Sequence, residues 1–166
     1  MYGFSADGVY AEYIKVDAKR IVPLPSKVPY EFGASLGYAG ITAIHAVNSF
    51  GKVSLDDRVA VYGTGGVGMY VLQLAKLSGA EMAIAIGRTE DKLRMAQENF
   101  GVDEIINNSS EKLRDGIKRI TSGKGVDIVF DRVVNNEIID SSLKILANSG
   151  RLMIVGVNKI QYILIL

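Results

Sequence analysis

Apolar and polar residues follow one another along this chain in two rhythms, and the rhythm changes near Leu55. From there on, short apolar runs alternate with stretches of helical period. The runs at Arg58–Tyr62, Met82–Ile86, Glu104–Ile106, Ile128–Phe130 and Arg151–Val155 predict strands. Between them, Val67–Leu77 sets Val67, Val71, Leu74 and Leu77 at helical spacing. Thr89–Phe100, Ser110–Thr121 and Asn136–Ala147 read as further helices. Thr89 stands at the N-cap of its helix, with Glu90 and Asp91 in the first turn. Strands alternating with helices of this length predict an α/β fold with a doubly wound parallel sheet. The apolar run Ile160–Leu166 (IQYILIL) is a candidate for one more strand.

The first fifty residues read differently. Val9–Val16 (VYAEYIKV) has strand-like alternation, and Pro23 and Pro25 then break regular structure. Glu31–Phe50 predicts a helix, with the small residues Gly33, Ala34, Ala39 and Gly40 permitting close packing. Leu36, Ile41, Ile44 and Val47 are its expected buried face.

Between the first expected strand and the helix after it lies VAVYGTGGVG, which carries G-x-G-x-x-G at Gly63, Gly65 and Gly68. The pattern alone is weak, but here it leaves a strand, opens a helix and precedes a second strand, the context it requires. Gly63 allows a tight turn, Gly65 lets backbone approach a diphosphate, and Gly68 lets helix and strand pack closely. Free N–H groups and the helix dipole then favour phosphate. The chain therefore reads as a Rossmann unit from about Asp56 to Val157, suited to NAD(H) or NADP(H). A purely structural turn is the competing reading. Gly123-Lys124-Gly125 lacks the Ser or Thr and the spacing of a P-loop and reads as a turn.

The end of the second strand bears on cofactor choice. NAD-preferring units place Asp or Glu there for the ribose hydroxyls. This chain has Gly87 followed by Arg88, with Lys92 one helical turn on. Removing the carboxylate removes repulsion of a 2′-phosphate, and Arg88 is placed for a charge-assisted bond to it. NADP(H) is expected to be favoured over NAD(H). Solvated surface charges are the other reading of Arg88 and Lys92.

Composition narrows the chemistry. The 166 residues fit one domain of ordinary size, and 48% hydrophobic content allows a real core. With no cysteine and one histidine, disulfides and thiolate metal sites are excluded from this sequence. A net charge of +1 makes no case for nucleic acid or an anionic membrane as partner. No signal peptide is visible, and no stretch reaches the roughly 20 apolar residues of a membrane span. A cytoplasmic protein is the expectation.

The stretches GVYAEYIKV, LGYAGITAIHAV, DRVAVYGTGGVGMYVLQLAKLSGA, GKGVDIVFD and SGRLMIVGV occur in the order and spacing of a known family. In them the chain resembles the medium-chain dehydrogenase/reductase family, of the zinc-type alcohol dehydrogenase kind. The resemblance implies a Rossmann NAD(P)-binding fold and hydride transfer between a nicotinamide and an alcohol or carbonyl. It implies that Gly63, Gly65, Gly66, Val67 and Gly68 bind the diphosphate, and that Gly87, Arg88 and Lys92 face the adenosine ribose. It sets Val133 and the Val155–Gly156–Val157 turn against the nicotinamide and gives Thr42 a cofactor-side position. It divides the chain into a catalytic-domain remnant with a linking helix over residues 1–50 and a dinucleotide-binding domain over 51–166. Most of the N-terminal catalytic domain is then missing.

Several positions depart from the family pattern. Tyr38 stands where zinc-dependent members carry Cys, and Val134 where a glycine follows FD-x-V. A catalytic zinc takes three protein ligands, usually Cys, His or Glu, so no zinc is expected here. No tyrosine has a lysine four residues later, which removes the short-chain acid arrangement. His45, in GITAIHAV, reads as a packed or rim histidine rather than a proton donor. Asp131 ends a strand, where a structural and a functional carboxylate fit equally. No catalytic residue is assigned. Three readings compete: a cofactor-binding domain with weak or no turnover alone, a zinc-independent NADPH-dependent reductase of the quinone-oxidoreductase kind, and a non-enzymatic nucleotide-binding module. A separate chain supplying the missing half is a further possibility. The uncharged IQYILIL edge also predicts a homodimer through a continuous sheet.

Overall fold

The computed structural model describes residues 6–156. The chain falls into two compact units, Met1–Ala34 and Ser35–Leu166.

In the first unit, Val9–Val16 is irregular rather than a strand. Extended chain is held as a strand only when a neighbour takes up its N–H and C=O groups. This segment has no such ladder among the described residues, and Tyr10 and Tyr13 are exposed. Asp17 caps a single 3₁₀ turn, Ala18–Arg20, its Oδ1 accepting from Lys19 N at 3.0 Å. Helix α1 (Tyr30–Ser35) begins after Pro29.

The second unit is built on five parallel strands: β1 (Arg58–Tyr62), β2 (Met82–Gly87), β3 (Glu104–Asn107), β4 (Val126–Asp131) and β5 (Leu146–Ile154). Their order is β3-β2-β1-β4-β5, which puts β1 at the centre. This is the doubly wound arrangement, whose strand order reverses beside β1 and leaves a crevice outside the strand C-termini. Helices α3 (Gly66–Leu77), α4 (Glu90–Phe100), α5 (Leu113–Ile120) and α6 (Asn136–Leu143) connect the strands. Strand alternation divides the core between two faces. Val59, Val61, Ala83, Ala85, Ile128 and Phe130 pack on one side with Val71, Leu72 and Leu93. Ala60, Tyr62, Ile84, Ile86 and Val129 pack on the other with Leu113 and Ile117.

Ahead of the sheet run π-helical Leu36–Gly40, α2 (Ile41–Ile44) and π-helical His45–Gly51. The expected uniform helix is thus widened twice. Thr42 Oγ1 donates to the Tyr38 carbonyl at 2.7 Å, a side-chain bond that competes with the helical ladder. The buried face also differs from expectation. Val47 is buried as expected, but Ala43 and Ala46 point inward with it, while Ile41 and Ile44 are 55% and 44% exposed. Small residues face inward because α2 packs against α3. Gly51 comes closer still, since a Cβ there would stand 2.7 Å from Phe130 Cζ.

Three further boundaries move. Helix α6 stops at Leu143, because Leu146 joins the sheet opposite Val126, whose N–H donates to the Ile145 carbonyl at 3.0 Å. Strand β5 therefore starts earlier, with a register irregularity opposite Val126 and Ile128. Helix α5 starts at Leu113, because Ser110 N and Glu111 N turn back onto the Asn107 carbonyl. Thr89 holds the N-cap position of α4, but its side chain makes no capping bond. The run Ile160–Leu166 lies outside the described residues.

Candidate functional site

Strand β1 ends at Tyr62, and the chain must turn at once to enter α3. Gly63 does this at φ 102°, a left-handed conformation open chiefly to glycine. Gly68, in the first turn of α3, lies against that turn, and a Cβ on it would overlap the Gly63 carbonyl oxygen. Two motif glycines are therefore explained by the fold itself. Gly65 is not. It is the N-cap of α3 at φ −88° and ψ −175°, extended backbone that any residue adopts, and a Cβ there would meet nothing within 4 Å. No side chain caps the helix at this point. The first N–H groups of α3 thus border space that is open among the described residues.

That space is a cleft of about 430 Å³ at the C-terminal ends of the strands. Of the residues singled out from sequence, Gly63, Gly65, Gly87, Arg88, Lys92 and Val133 line it together. Arg88 and Lys92 are exposed, and neither forms an ion pair among the described residues. Gly66, Val67 and Gly68 form the first turn of α3 behind the lip, with Val67 and Gly68 buried. Thr42 is outside the cleft wall, its hydroxyl given to Tyr38. Val155 and Gly156 also stand off the wall. Their N–H groups donate to the Asp131 carbonyl at 2.9 and 3.1 Å, which ties the end of β5 to that of β4. Val157 lies outside the described residues.

Asp131 itself has a structural role. Its side chain is fully buried, and Oδ1 accepts from Val133 N at 2.8 Å and Val134 N at 3.0 Å. The bonds hold the turn that presents Val133, 43% exposed, to the cleft. Arg132 braces the same turn by donating Nη1–H to the Val155 carbonyl at 2.6 Å.

The cleft contains groups that the motif search missed: Thr64, Tyr62, Asn108, Asn135 and Ser141 among them. Each lies at or just beyond the C-terminal end of a strand or on the helix that follows, where a parallel sheet gathers its ligand contacts. Asn135 caps α6, its Oδ1 accepting from Ile138 N at 2.8 Å. Asn108 Nδ2 donates to the Tyr62 hydroxyl at 2.6 Å. Burial and then the Asp131 and Glu137 carboxylates push the Tyr62 phenol above its ordinary pKa, so it keeps its proton at neutral pH. His45 sits away from the cleft wall, exposed, 3.3 Å from Ser49 Oγ and tilted against Phe50.

The arrangement fits an extended diphosphate ligand. It offers a side-chain-free approach at Gly65, an uncapped helix end and two unpaired cations at the rim of the same cleft. The described residues include no group of three His, Cys, Asp or Glu side chains placed to hold an ion. No helix among them is long and apolar enough to cross a membrane.

Comparison with known proteins agrees with this geometry. The sequence profile of the zinc-binding dehydrogenases matches residues 66–164. An L-threonine 3-dehydrogenase of Bacillus licheniformis is 32% identical over 154 residues, 93% of this chain and 43% of that protein. A quinone oxidoreductase of Rattus norvegicus is 30% identical over 153 residues, 92% of this chain and 46% of that protein. Among solved structures, an alcohol dehydrogenase of the archaeon Aeropyrum pernix superposes with a TM-score of 0.80 at 29% identity, covering 91% of this chain and 44% of that one. The chain spans less than half the length of the curated relatives it matches.

Proposed function

The chain belongs to the zinc-binding dehydrogenase family, and on that premise we propose that its cleft seats a nicotinamide dinucleotide, with the diphosphate over Gly65. The observation that carries this reading is the contrast among the three motif glycines. Gly63 and Gly68 are required by backbone geometry, whereas Gly65 faces open space that a diphosphate fits. Gly66, Val67 and Gly68 contribute N–H groups to the same anion. Gly87, Arg88 and Lys92 surround the adenosine ribose, and the cations favour NADP(H) over NAD(H). Val133 bounds the cleft, and Val155–Val157 and Thr42 approach the nicotinamide end in this reading. The test is thermal unfolding with each nucleotide. At about a hundred times the dissociation constant, NADPH stabilises by roughly 2.7 kcal/mol, and NADH does so only at higher concentration. No shift with either nucleotide contradicts the reading.

A bound nicotinamide supplies hydride chemistry, and the residues of this chain bind and orient it. The likeness to a quinone oxidoreductase favours a zinc-independent reductase as the second reading. NADPH consumption with a quinone or an enone separates it from a cofactor-binding domain without turnover. In the same proposal, two copies of the chain pair as a homodimer at the C-terminal edge of the sheet, beside β5. A monomer at micromolar concentration by light scattering contradicts that pairing.

A further inference from the structure

Thr64 lies between the first two glycines of the turn and is only 8% exposed. It lines the cleft, and its hydroxyl has no hydrogen-bond partner among the described residues. Its oxygen is not sealed inside the protein but opens onto the cleft, so a polar group seated there can bond it. Its position says what would satisfy it. A Cβ placed on Gly87 would stand 3.1 Å from Thr64 Oγ1 and 3.4 Å from Leu93 Cδ2. The hydroxyl therefore borders the spot from which a carboxylate at the end of β2 would reach the adenosine ribose. Here that carboxylate is absent, and Thr64 Oγ1 is the polar atom closing the floor between the glycine turn and β2. Arg88 and Lys92 line the cleft from the β2 side.

We infer that Thr64 donates its hydroxyl to the substituent on the 2′ position of the adenosine ribose and so helps set the choice between NADP(H) and NAD(H). The inference rests on the reading of this cleft as a dinucleotide seat. A hydroxyl bonded to a phosphate dianion makes a charge-assisted bond, roughly twice as strong as one to a neutral ribose hydroxyl. Thr64 thus acts on the difference between the two nucleotides more than on their common diphosphate.

Calorimetric titration of the full chain with NADPH and NADH tests this in wild type, T64V and T64S. Valine keeps the shape and removes the hydroxyl, and serine restores it. T64V is expected to weaken NADPH by about tenfold and NADH by less than about threefold, with T64S recovering most of the loss. Should T64V not fold, T64A carries the same comparison. An unchanged ratio of the two affinities in the hydroxyl-free variant, or an equal loss for both nucleotides, overturns the role of Thr64 while leaving the dinucleotide seat standing. Wild type that binds neither nucleotide removes the seat itself.

Discussion

The side chain of Val134 occupies the space above Gly156. Val134 holds φ 52°, a left-handed conformation rarely taken by a β-branched residue, and it is only 3% exposed. A Cβ on Gly156 would collide with Val134 Cγ2 and come within 2.8 Å of the Arg132 carbonyl oxygen. The turns that follow β4 and β5 are therefore locked together by one strained valine and one bare backbone. Two Asp131 hydrogen bonds and burial hold the strain in place. G156A is expected to destabilise the fold by about 1–3 kcal/mol. In a V134G background the cost falls, because the larger of the two collisions is gone. Denaturant unfolding of the two single variants and the double variant measures the coupling.

At the opposite end of the sheet, Arg58 and Asp127 join β1 to β4. Arg58 Nε and Nη2 reach the two carboxylate oxygens at 2.9 and 3.0 Å, and Arg58 N adds a bond of 2.9 Å. Burial pushes the Asp127 carboxyl up, but the side-chain and backbone hydrogen bonds from Arg58 outweigh it and hold it below the ordinary range. A depressed folded-state value means that this stabilisation is present above the unfolded carboxylate pKa of about 3.9 and disappears as pH falls through the folded value. D127N is expected to lose about 1.5–3 kcal/mol at neutral pH. The gap between it and wild type narrows as the pH drops below about 4. Urea midpoints across the acid range check both points.

Much of this was legible in the sequence, and the exceptions share a cause. The Rossmann order followed from the alternation of periods, and the first strand, Arg58–Tyr62, is found at its predicted bounds. Val9–Val16 and the end of α6 depart from their sequence pattern because a strand depends on partners remote in sequence. Residues Val9–Val16 lack a ladder among the described residues, whereas Leu146 gains one with Val126. The inward face of the helical segment ahead of the sheet follows size rather than hydrophobicity, because close packing on α3 selects Ala43 and Ala46 over Ile41 and Ile44. In the cleft, the glycines were visible as a spacing, but Thr64 was not. Its significance is its distance from Gly87, 23 positions away in the chain and adjacent in space.

The same contact sets an expectation for Gly87. G87D introduces a carboxylate that repels a 2′-phosphate and accepts from ribose hydroxyls. Thr64 must yield a few tenths of an ångström to admit its Cβ, whereas Leu93 meets it at ordinary contact distance. The variant is expected to lose about 1 kcal/mol of stability, to weaken NADPH by at least about tenfold and to bind NADH the more tightly of the two. Fluorescence titration with both reduced nucleotides checks this, and an unchanged order of preference contradicts the assignment of Gly87.

The most direct measurement is a calorimetric titration of NADPH into wild type and G65A, read beside the unfolding of each apo protein. Alanine fits the backbone at position 65 without a clash; its gain from unfolded-state entropy and its loss as an N-cap residue roughly offset, so the empty fold is expected to keep its stability to within about 1 kcal/mol. Its methyl group then stands in the path of the diphosphate, and affinity is expected to fall by at least about tenfold. Saturable binding by wild type, lost in an intact G65A fold, is the predicted result. Equal binding by both proteins, or no heat from wild type, contradicts the account.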